Sequence, residues 1–501
     1  MKRQRTQKWL DIDWAQVSEE ITTCQTHILE AYKEGRHHNV TQLQKNLTRS
    51  FAARAMAVRQ ITQNKGKPQP GVDNTQGLTW YDPTEKWKAI GDLLIDPKSY
   101  TAKPLCRGKC SGFPRGIPTM LDRGVQALWK MALEPISEYS PFSFLDGGGG
   151  DEFRPCRNAP DAIQRAYHLF SSLTWQKGGG GLLEGVVEIS SEKVYQAWLL
   201  ENIPMDRLIL QQWFQAGYLE RGQEWDTYTP WGEGIISETI VNLTLGSALA
   251  PKGIQETIRL SFLEALEAAP FAFLAAPTPK DGRVTLIRYR DDFLLWSPKE
   301  ELLVEVVKPA MENFLEPRGL RLSPSKTVIT NLREGCNFLG FKIGLYQSPL
   351  PSRSPKQVFS FLEAKDSKGV TEGNLKGSST ILMMKPSERS MESLRRSISL
   401  LVRDHGTGPE FALICKLNPL LRRWANYARL GFATRAFESI DHHIWKVLVG
   451  WLRRKYRRTG SRQLIAEHFI REKGCGWVFH SVEGDRKVKL FRMSSVKCPT
   501  A

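Results

Sequence analysis

Cysteine is scarce, eight residues in 501, and scattered along the chain. Only Cys106 and Cys110 lie close together, and no second pair or His pair stands near them. That spacing alone does not make a zinc site, and reduced thiols in a reducing compartment are the simpler reading. Long apolar runs are missing too: none reaches a bilayer span, so no membrane association is expected. A signal-peptide core is also missing. Met1-Lys2-Arg3-Gln4-Arg5 is basic, but Trp9-Leu10-Asp11-Ile12-Asp13 follows, and those acidic residues argue against a long transit peptide. The expectation is a protein that is not secreted and works where it is made, in bacterial cytoplasm or an organelle matrix or stroma. Acidic residues are in deficit, 53 against 70 Lys and Arg, giving a net charge of +17 and a pI near 9.5. A fold does not need that excess, and a polyanionic partner explains it. Apolar residues are plentiful at 41%, which excludes a disordered chain, and the length suits about two to four domains. Fifteen tryptophans, several beside arginines, offer stacking surface as well as core volume.

The most informative stretch is Leu286-Ile287-Arg288-Tyr289-Arg290-Asp291-Asp292-Phe293-Leu294-Leu295-Trp296. Its flanks are β-branched and aromatic, so it reads as two strands with Arg290-Asp291-Asp292 as a tight turn. Paired carboxylates at a hairpin tip suit a hard divalent cation, since Mg²⁺ is held by one or two carboxylates plus substrate phosphates. Two such ions can clamp the attacking and leaving oxygens of a nucleotidyl transfer. An Asp-Asp dipeptide alone is as well explained by an ordinary turn. The Tyr289-x-Asp291-Asp292-Phe293 context, however, resembles the Tyr-x-Asp-Asp box of reverse transcriptases.

Other motifs narrow the resemblance to group II intron reverse transcriptases. Helical spacing runs from Trp14 to Tyr32, and a second helix is expected from Asn39 through Val58. The loop Gly66-Lys67-Pro68-Gln69-Pro70-Gly71-Val72-Asp73 is similar to one that ends the family's helical N-terminal extension. Gly116-Ile117-Pro118-Thr119-Met120-Leu121-Asp122-Arg123, a helix carrying Gln126, and Phe153-Arg154-Pro155-Cys156-Arg157 look like the fingers. Arg154 and Arg157 are phosphate-contact candidates, because guanidinium presents a planar donor fork. Phe314-Leu315, Arg318 to Ser323, Lys326-Thr327 and Asn337-Phe338-Leu339-Gly340-Phe341 resemble the palm, where Lys326 is a candidate nucleic-acid contact. Residues 345–380 are rich in Ser, Pro and Lys and read as a linker or long hairpin, with helices resuming from Met384. Leu417-Asn418-Pro419-Leu420-Leu421-Arg422-Arg423-Trp424-Ala425-Asn426-Tyr427 resembles the maturase, or thumb, domain. Leu417, Leu421, Trp424 and Ala428 form one core stripe, while Arg422, Arg423 and Arg429 fall off it and can reach RNA phosphates. The run Arg453-Arg454-Lys455-Tyr456-Arg457-Arg458 is denser in charge than helix solvation needs, and phosphate binding explains it better. No Cys pairs with His-Asn-His spacing follow, so the endonuclease domain of some relatives is not expected.

The chain also departs from the family pattern. Aligned through the downstream helix, the family's third metal-binding aspartate falls at Val186, and the Phe after it at Ser191. Glu184 and Glu188 share a face with position 186, but each lies about 6–7 Å away along a strand, too far to restore a two-metal site. Trp231 stands where the family has Gln, Glu233 looks inserted, Glu238 replaces Pro, and Arg290 takes a position usually held by a small residue. Two four-glycine runs, Gly147–Gly150 and Gly178–Gly181, read as degenerate loop sequence.

The expected fold is α+β: a right-hand polymerase with a helical N-terminal extension (1–75), fingers and palm (76–345), a linker (346–383), an α-helical maturase or thumb domain (384–480) and a C-terminal tail (481–501). The reading placed first is a maturase-like protein that binds structured intron RNA and assists splicing, with polymerase chemistry lost or impaired. An active RNA-directed DNA polymerase, using Mg²⁺ or Mn²⁺ at Asp291 and Asp292 and a DNA primer or target, stays open. So do a relic without function and a homodimeric state.

Overall fold

A computed structural model of the chain describes residues 8–63, 71–72, 80, 82–107, 116–137, 159–174, 180–220, 223–225, 234–245, 285–331, 334–348, 379–472 and 476–498. Helices and strands mix as expected for an α+β chain, and the residues divide into two compact units. The first comprises 1–157, 186–277 and 304–325; the second comprises 158–185, 278–303 and 326–501.

The first unit opens with helices α1 (Trp14–Lys33), α2 (His37–Arg49) and α3 (Phe51–Thr62). Asp13 caps α1 by accepting from the backbone N–H groups of Ala15 and Gln16. The single helix expected over Asn39–Val58 is two helices. Ser50 breaks it with an extended backbone and accepts from the Ala53 N–H, so its hydroxyl starts α3 rather than continuing α2. α4 (Pro83–Asp92) packs on α3, and the long α5 (Met120–Ser137) packs on α1, α2 and α3. Gln25 and Gln44 donate to the α5 carbonyls of Met131 and Ala132, fastening the N-terminal helices polar group by polar group. Strands β1 (Leu105–Arg107) and β2 (Gly116–Ile117) pair antiparallel in a small sheet.

α6 (Ala159–Thr174) belongs to the second unit. Strand β3 (Gly181–Ile189) crosses the unit boundary. The first unit continues with α7 (Glu192–Asn202), α8 (Arg207–Gln215), β4 (Tyr218–Glu220), β5 (Gln223–Trp225) and α9 (Ser237–Leu245). In the second unit β6 (Thr285–Tyr289) and β7 (Asp292–Ser297) form the hairpin predicted from sequence, pairing Tyr289 with Asp292 across Arg290-Asp291. The sheet order there is β6-β7-β3. A helix runs from Glu300 through a π-helical turn at Leu303–Val307 into α10 (Lys308–Leu315). β8 (Leu320–Leu322) pairs with the second half of β3, and β9 (Val328–Asn331) with its first half.

β10 (Cys336–Phe338), β11 (Phe341–Ser348) and β12 (Ser379–Pro386) make a meander. Continuous pairing from Phe341–Pro386 to Ser348–Ser379 gives the Ser-Pro-Lys stretch the form of a hairpin at its two ends. The linker expected over 346–383 therefore overlaps both strands, and 349–378 lie outside the described residues. Met384 is in β12, not a helix; α11 (Glu388–His405) starts only where Ser387 accepts from the Ser390 N–H. α12 (Glu410–Ala428), α13 (Thr434–Lys455) and α14 (Ser461–His468) follow, then the sheet β13 (Phe469–Glu472), β14 (Gly476–Glu483) and β15 (Arg486–Lys489). Leu417, Leu421 and Ala428 are buried with Phe437, Ile440, Ile444 and Leu448, as the stripe predicted. The tail expected at 481–501 is built into this core as far as it is described, to residue 498. Met493 is fully buried, and the Met493 and Ser494 N–H groups donate to the Asp441 carboxylate.

Candidate active site and nucleic-acid surface

The acidic hairpin lies wholly in the second unit. Arg290 takes the first turn position with φ +57°, and Asp291 completes the two-residue turn. Phe293 and Leu294 behind them are buried, so the apolar strand anchors the tip. Phe293 also packs on β3 closely enough that a Cβ on Gly185 would lie 2.6 Å from its ring. Gly180 and Gly181 are likewise packed rather than loose: a Cβ on Gly180 would meet Trp296 and Ser297 at 2.4 Å. The end of the second glycine run is thus a close approach of backbones, and the first run lies outside the described residues.

Burial and the neighbouring Asp291 carboxylate push the Asp292 carboxyl up to about 6, against the pull of Lys326. Tyr427 of α12 is held beside this tip. Its hydroxyl donates to the Leu339 carbonyl at 2.7 Å, and burial together with Tyr289 and Asp292 raises its pKa. Leu339 and Gly340 both have positive φ, so a tight left-handed turn is clasped between Tyr427 and the Ser387 N–H, which donates to Gly340. Tyr427 falls within the maturase-like stretch 417–427, and its offset from the Leu417–Leu421 stripe is the sequence signal for a role outside the helical core.

The proposed substitutes for a third carboxylate are committed elsewhere. Glu184, Val186 and Glu188 share the partly exposed face of β3, as alternation requires. Glu184 accepts the Asn337 N–H; burial raises its carboxyl, partly offset by that bond and by Arg389. Glu188 pairs with Arg321 at 2.8 Å. Val186 gives only its carbonyl, to Ser323 N–H at 2.9 Å. Among the described residues no group of three His, Cys, Asp or Glu could hold a metal ion. The donor chemistry at Asp291 and Asp292, hard oxygens on adjacent residues, fits one Mg²⁺ or Mn²⁺ shared with substrate phosphates. It does not supply a cage for two.

Other departures acquire structural roles. Ser191 caps α7 by accepting from the Val194 N–H. Glu238 stands in the first turn of α9, where a carboxylate complements the helix dipole. Gln126 on α5 accepts the Ile235 N–H at 3.0 Å and so fixes the entry to α9. Asp122, buried, accepts from Tyr100 and Thr119 at 2.6 Å each. Arg154, Arg157, Trp231 and Glu233 lie outside the described residues.

The second unit presents the expected basic side chains. Arg422, Arg423, Arg429, Arg453, Arg454, Arg457 and Arg458 are exposed. Two are tethered: Arg422 lies 4.4 Å over the Phe491 ring, and the Arg453 guanidinium donates to Ser461. Lys455 does not join the surface. Its side chain is only 16% exposed, with the ammonium paired with Glu410 at 2.8 Å and donating to the Gly408 carbonyl. Its place as the last residue of α13 turns it inward to α12, a direction that charge density in the sequence cannot show.

Family models match in three places. The N-terminal domain of reverse transcriptase matches residues 9–93, reverse transcriptase (RNA-dependent DNA polymerase) 201–343, and the group II intron maturase-specific domain 391–469. The chain belongs to the group II intron reverse transcriptase and maturase family. The group II intron-encoded protein LtrA of Lactococcus lactis subsp. cremoris is 25% identical over 355 residues, covering 60% of this chain and 56% of that protein. Protein YkfC of Escherichia coli (strain K12) is 26% identical over 313 residues, covering 58% of this chain and 79% of that protein. The chain thus spans about half the length of LtrA. Within this family member, the polymerase match begins at Glu201, downstream of β3 and Val186. No helix among the described residues is long and apolar enough to cross a membrane.

Proposed function

We propose that this chain is a maturase that binds structured group II intron RNA and assists its folding and splicing, with polymerase activity lost or impaired. The arrangement is read as a right-hand polymerase: helical extension, fingers and palm, then a maturase thumb. The observation that carries the proposal is the contrast between two surfaces. The maturase-matched helices keep a well-packed core beneath exposed arginines, while the acidic hairpin keeps two carboxylates and the two candidates for a third, Glu184 and Glu188, are bound to Asn337 and Arg321. In splicing the RNA performs the transesterification, so the protein needs affinity and shape rather than metal ligands. Arg422, Arg423, Arg429, Arg457 and Arg458 are the phosphate contacts in this reading.

A second reading, RNA-directed DNA synthesis, is favoured by one observation: Asp291 and Asp292 remain at a rigid hairpin tip beside Lys326. Asp291 and Asp292 would hold Mg²⁺, which would supply Lewis-acid polarisation of a phosphoryl oxygen. Two experiments separate the readings. The purified chain is expected to bind a group II intron transcript above a nonspecific RNA at moderate salt and to speed its splicing, with Asp291→Ala leaving both unchanged. Failure to bind above the nonspecific control sinks the maturase reading. On an RNA template with a primer and Mg²⁺ or Mn²⁺, wild type is expected to be inactive and Val186→Asp to gain extension. Extension by wild type that Asp291→Ala abolishes would establish the polymerase instead.

A further inference from the structure

A cavity of about 450 Å³ opens between α13, β14 and residues 490–492, within the range of roughly 300–1,000 Å³ typical of ligand pockets. One wall is α13, where His442 and Trp445 stack in parallel, with centroids 6.2 Å apart and planes 9° apart. The other is β14, where Trp477 is 48% exposed, among the most exposed large apolar side chains of the described residues. The half of the cavity formed by residues 476–492 lies beyond the segment matched by the maturase-specific family model.

Cations frame this indole. Arg471 is directly opposite Trp477 in the β13–β14 pair and is exposed on the same face. Arg492 lines the cavity, with its guanidinium donating to the Trp477 carbonyl and lying 3.5 Å from the Asp441 carboxylate. Gly476 makes room for it, since a Cβ there would come within 3.1 Å of the Arg492 guanidinium. The wall is fastened rather than loose: Asn418 donates to the Lys489 carbonyl and accepts the Phe491 N–H. The Asp441 carboxylate is already used by the Met493 and Ser494 N–H groups, which leaves the exposed Glu438 as the free-standing acidic character of the wall.

We propose that this cavity takes one unpaired base of an RNA strand, stacked on Trp477, with the flanking phosphates on Arg471 and Arg492. This deepens the RNA-binding reading above and rests on it for the class of partner. Aromatic faces accept any base, whereas cations placed beside them select a polyanion over an apolar peptide. Glu438 offers acceptor oxygens suited to an exocyclic amino group, so adenine, cytosine or guanine is favoured over uracil.

The test uses the full chain and two probes, an unstructured oligoadenylate of about 12 nucleotides and a blunt RNA duplex of similar length. Trp477→Ala is expected to weaken the oligoadenylate by roughly 5- to 150-fold, the worth of stacking one base on a ring, and to leave the duplex unchanged. Trp477→Phe keeps the ring and is expected to retain most of the affinity, which separates stacking from damage to the fold. The proposal is overturned if wild type does not bind the oligoadenylate, if Trp477→Ala binds it unchanged, or if both probes weaken equally. Concentration-dependent self-association abolished by Trp477→Ala, with RNA binding intact, would assign the cavity to a second copy and also overturn it. The underlying reading fails on a different result: wild type that binds oligoadenylate through Trp477 but does not prefer an intron transcript keeps the base pocket and loses the intron.

Discussion

Arg290 has φ +57°, a conformation that costs an L-residue with a Cβ roughly 1–2 kcal/mol and glycine almost nothing. The turn finds partial compensation: the Arg288 guanidinium donates to the Arg290 carbonyl at 2.9 Å, and the Arg290 guanidinium lies 5.5 Å over the Tyr289 ring. Comparing two truncations isolates the backbone, because both lose the ring contact and both keep the carbonyl that accepts from Arg288. Arg290→Gly is expected to be more stable than Arg290→Ala by about 1 kcal/mol, the reverse of the usual order in a strand or helix. Urea midpoints of the two variants measure it, and equal midpoints would mean that the turn relaxes without cost. The same residue-level view changes how the family departures are understood. Ser191 is not simply a lost aromatic, since it caps α7, and Glu184 is not a spare metal ligand, since it secures the Asn337 N–H. At Ser191 the residue that departs from the family pattern thus serves the local fold.

At the scale of elements, the helical second unit depends on polar joints between helices as well as on its apolar stripe. Lys455 at the end of α13 pairs with Glu410 at the start of α12, and the Tyr456 hydroxyl donates to the same carboxylate at 2.7 Å. Burial raises the Glu410 carboxyl, but the bonds from Lys455 and Tyr456 and the lysine charge outweigh it and hold the group below the usual value. A depressed folded pKa contributes stability that is present above the unfolded value near 4.3 and is lost as pH falls through the folded one. Glu410→Ala is therefore expected to cost about 3 kcal/mol at neutral pH, as for a buried pair broken from one side, and progressively less below about pH 4. Thermal melts of wild type and variant across that range test it; a difference independent of pH would reduce the joint to packing. These joints explain which elements were legible in the sequence. Apolar periodicity marked α1, α5, α12 and the β6–β7 hairpin because burial alone sets those patterns. It did not mark the break at Ser50, the strand β12 or the ordered end at Met493. Those depend on a cap, on pairing with β11 and on two N–H groups reaching Asp441, all partners distant in sequence or decided by one side chain.

For the whole molecule the governing quantity is the net charge of +17, which binds any polyanion without choosing one. Selectivity must come from contacts that do not scale with charge, and salt titration separates the two. Each phosphate contact releases counterions, so affinity falls with log salt with a slope of about −0.9 per contact on a duplex and −0.7 on a single strand. Arg457 and Arg458 are exposed, whereas Lys455 between the two helices is not. Replacing both arginines by glutamine is expected to flatten the slope for an intron transcript by about 1.4–1.8, while Lys455→Gln leaves the slope unchanged and lowers only stability. Trp477→Ala should behave in a third way, lowering affinity for unpaired RNA by the same factor at every salt concentration, because stacking releases no counterions. Binding isotherms from low to moderate salt for these three variants distinguish phosphate contact, structural charge and base contact in one series. If the Lys455 variant alone flattened the slope, the ion pair with Glu410 would have to open on RNA, and the density of charge over residues 453–458 would have predicted the surface better than the fold does.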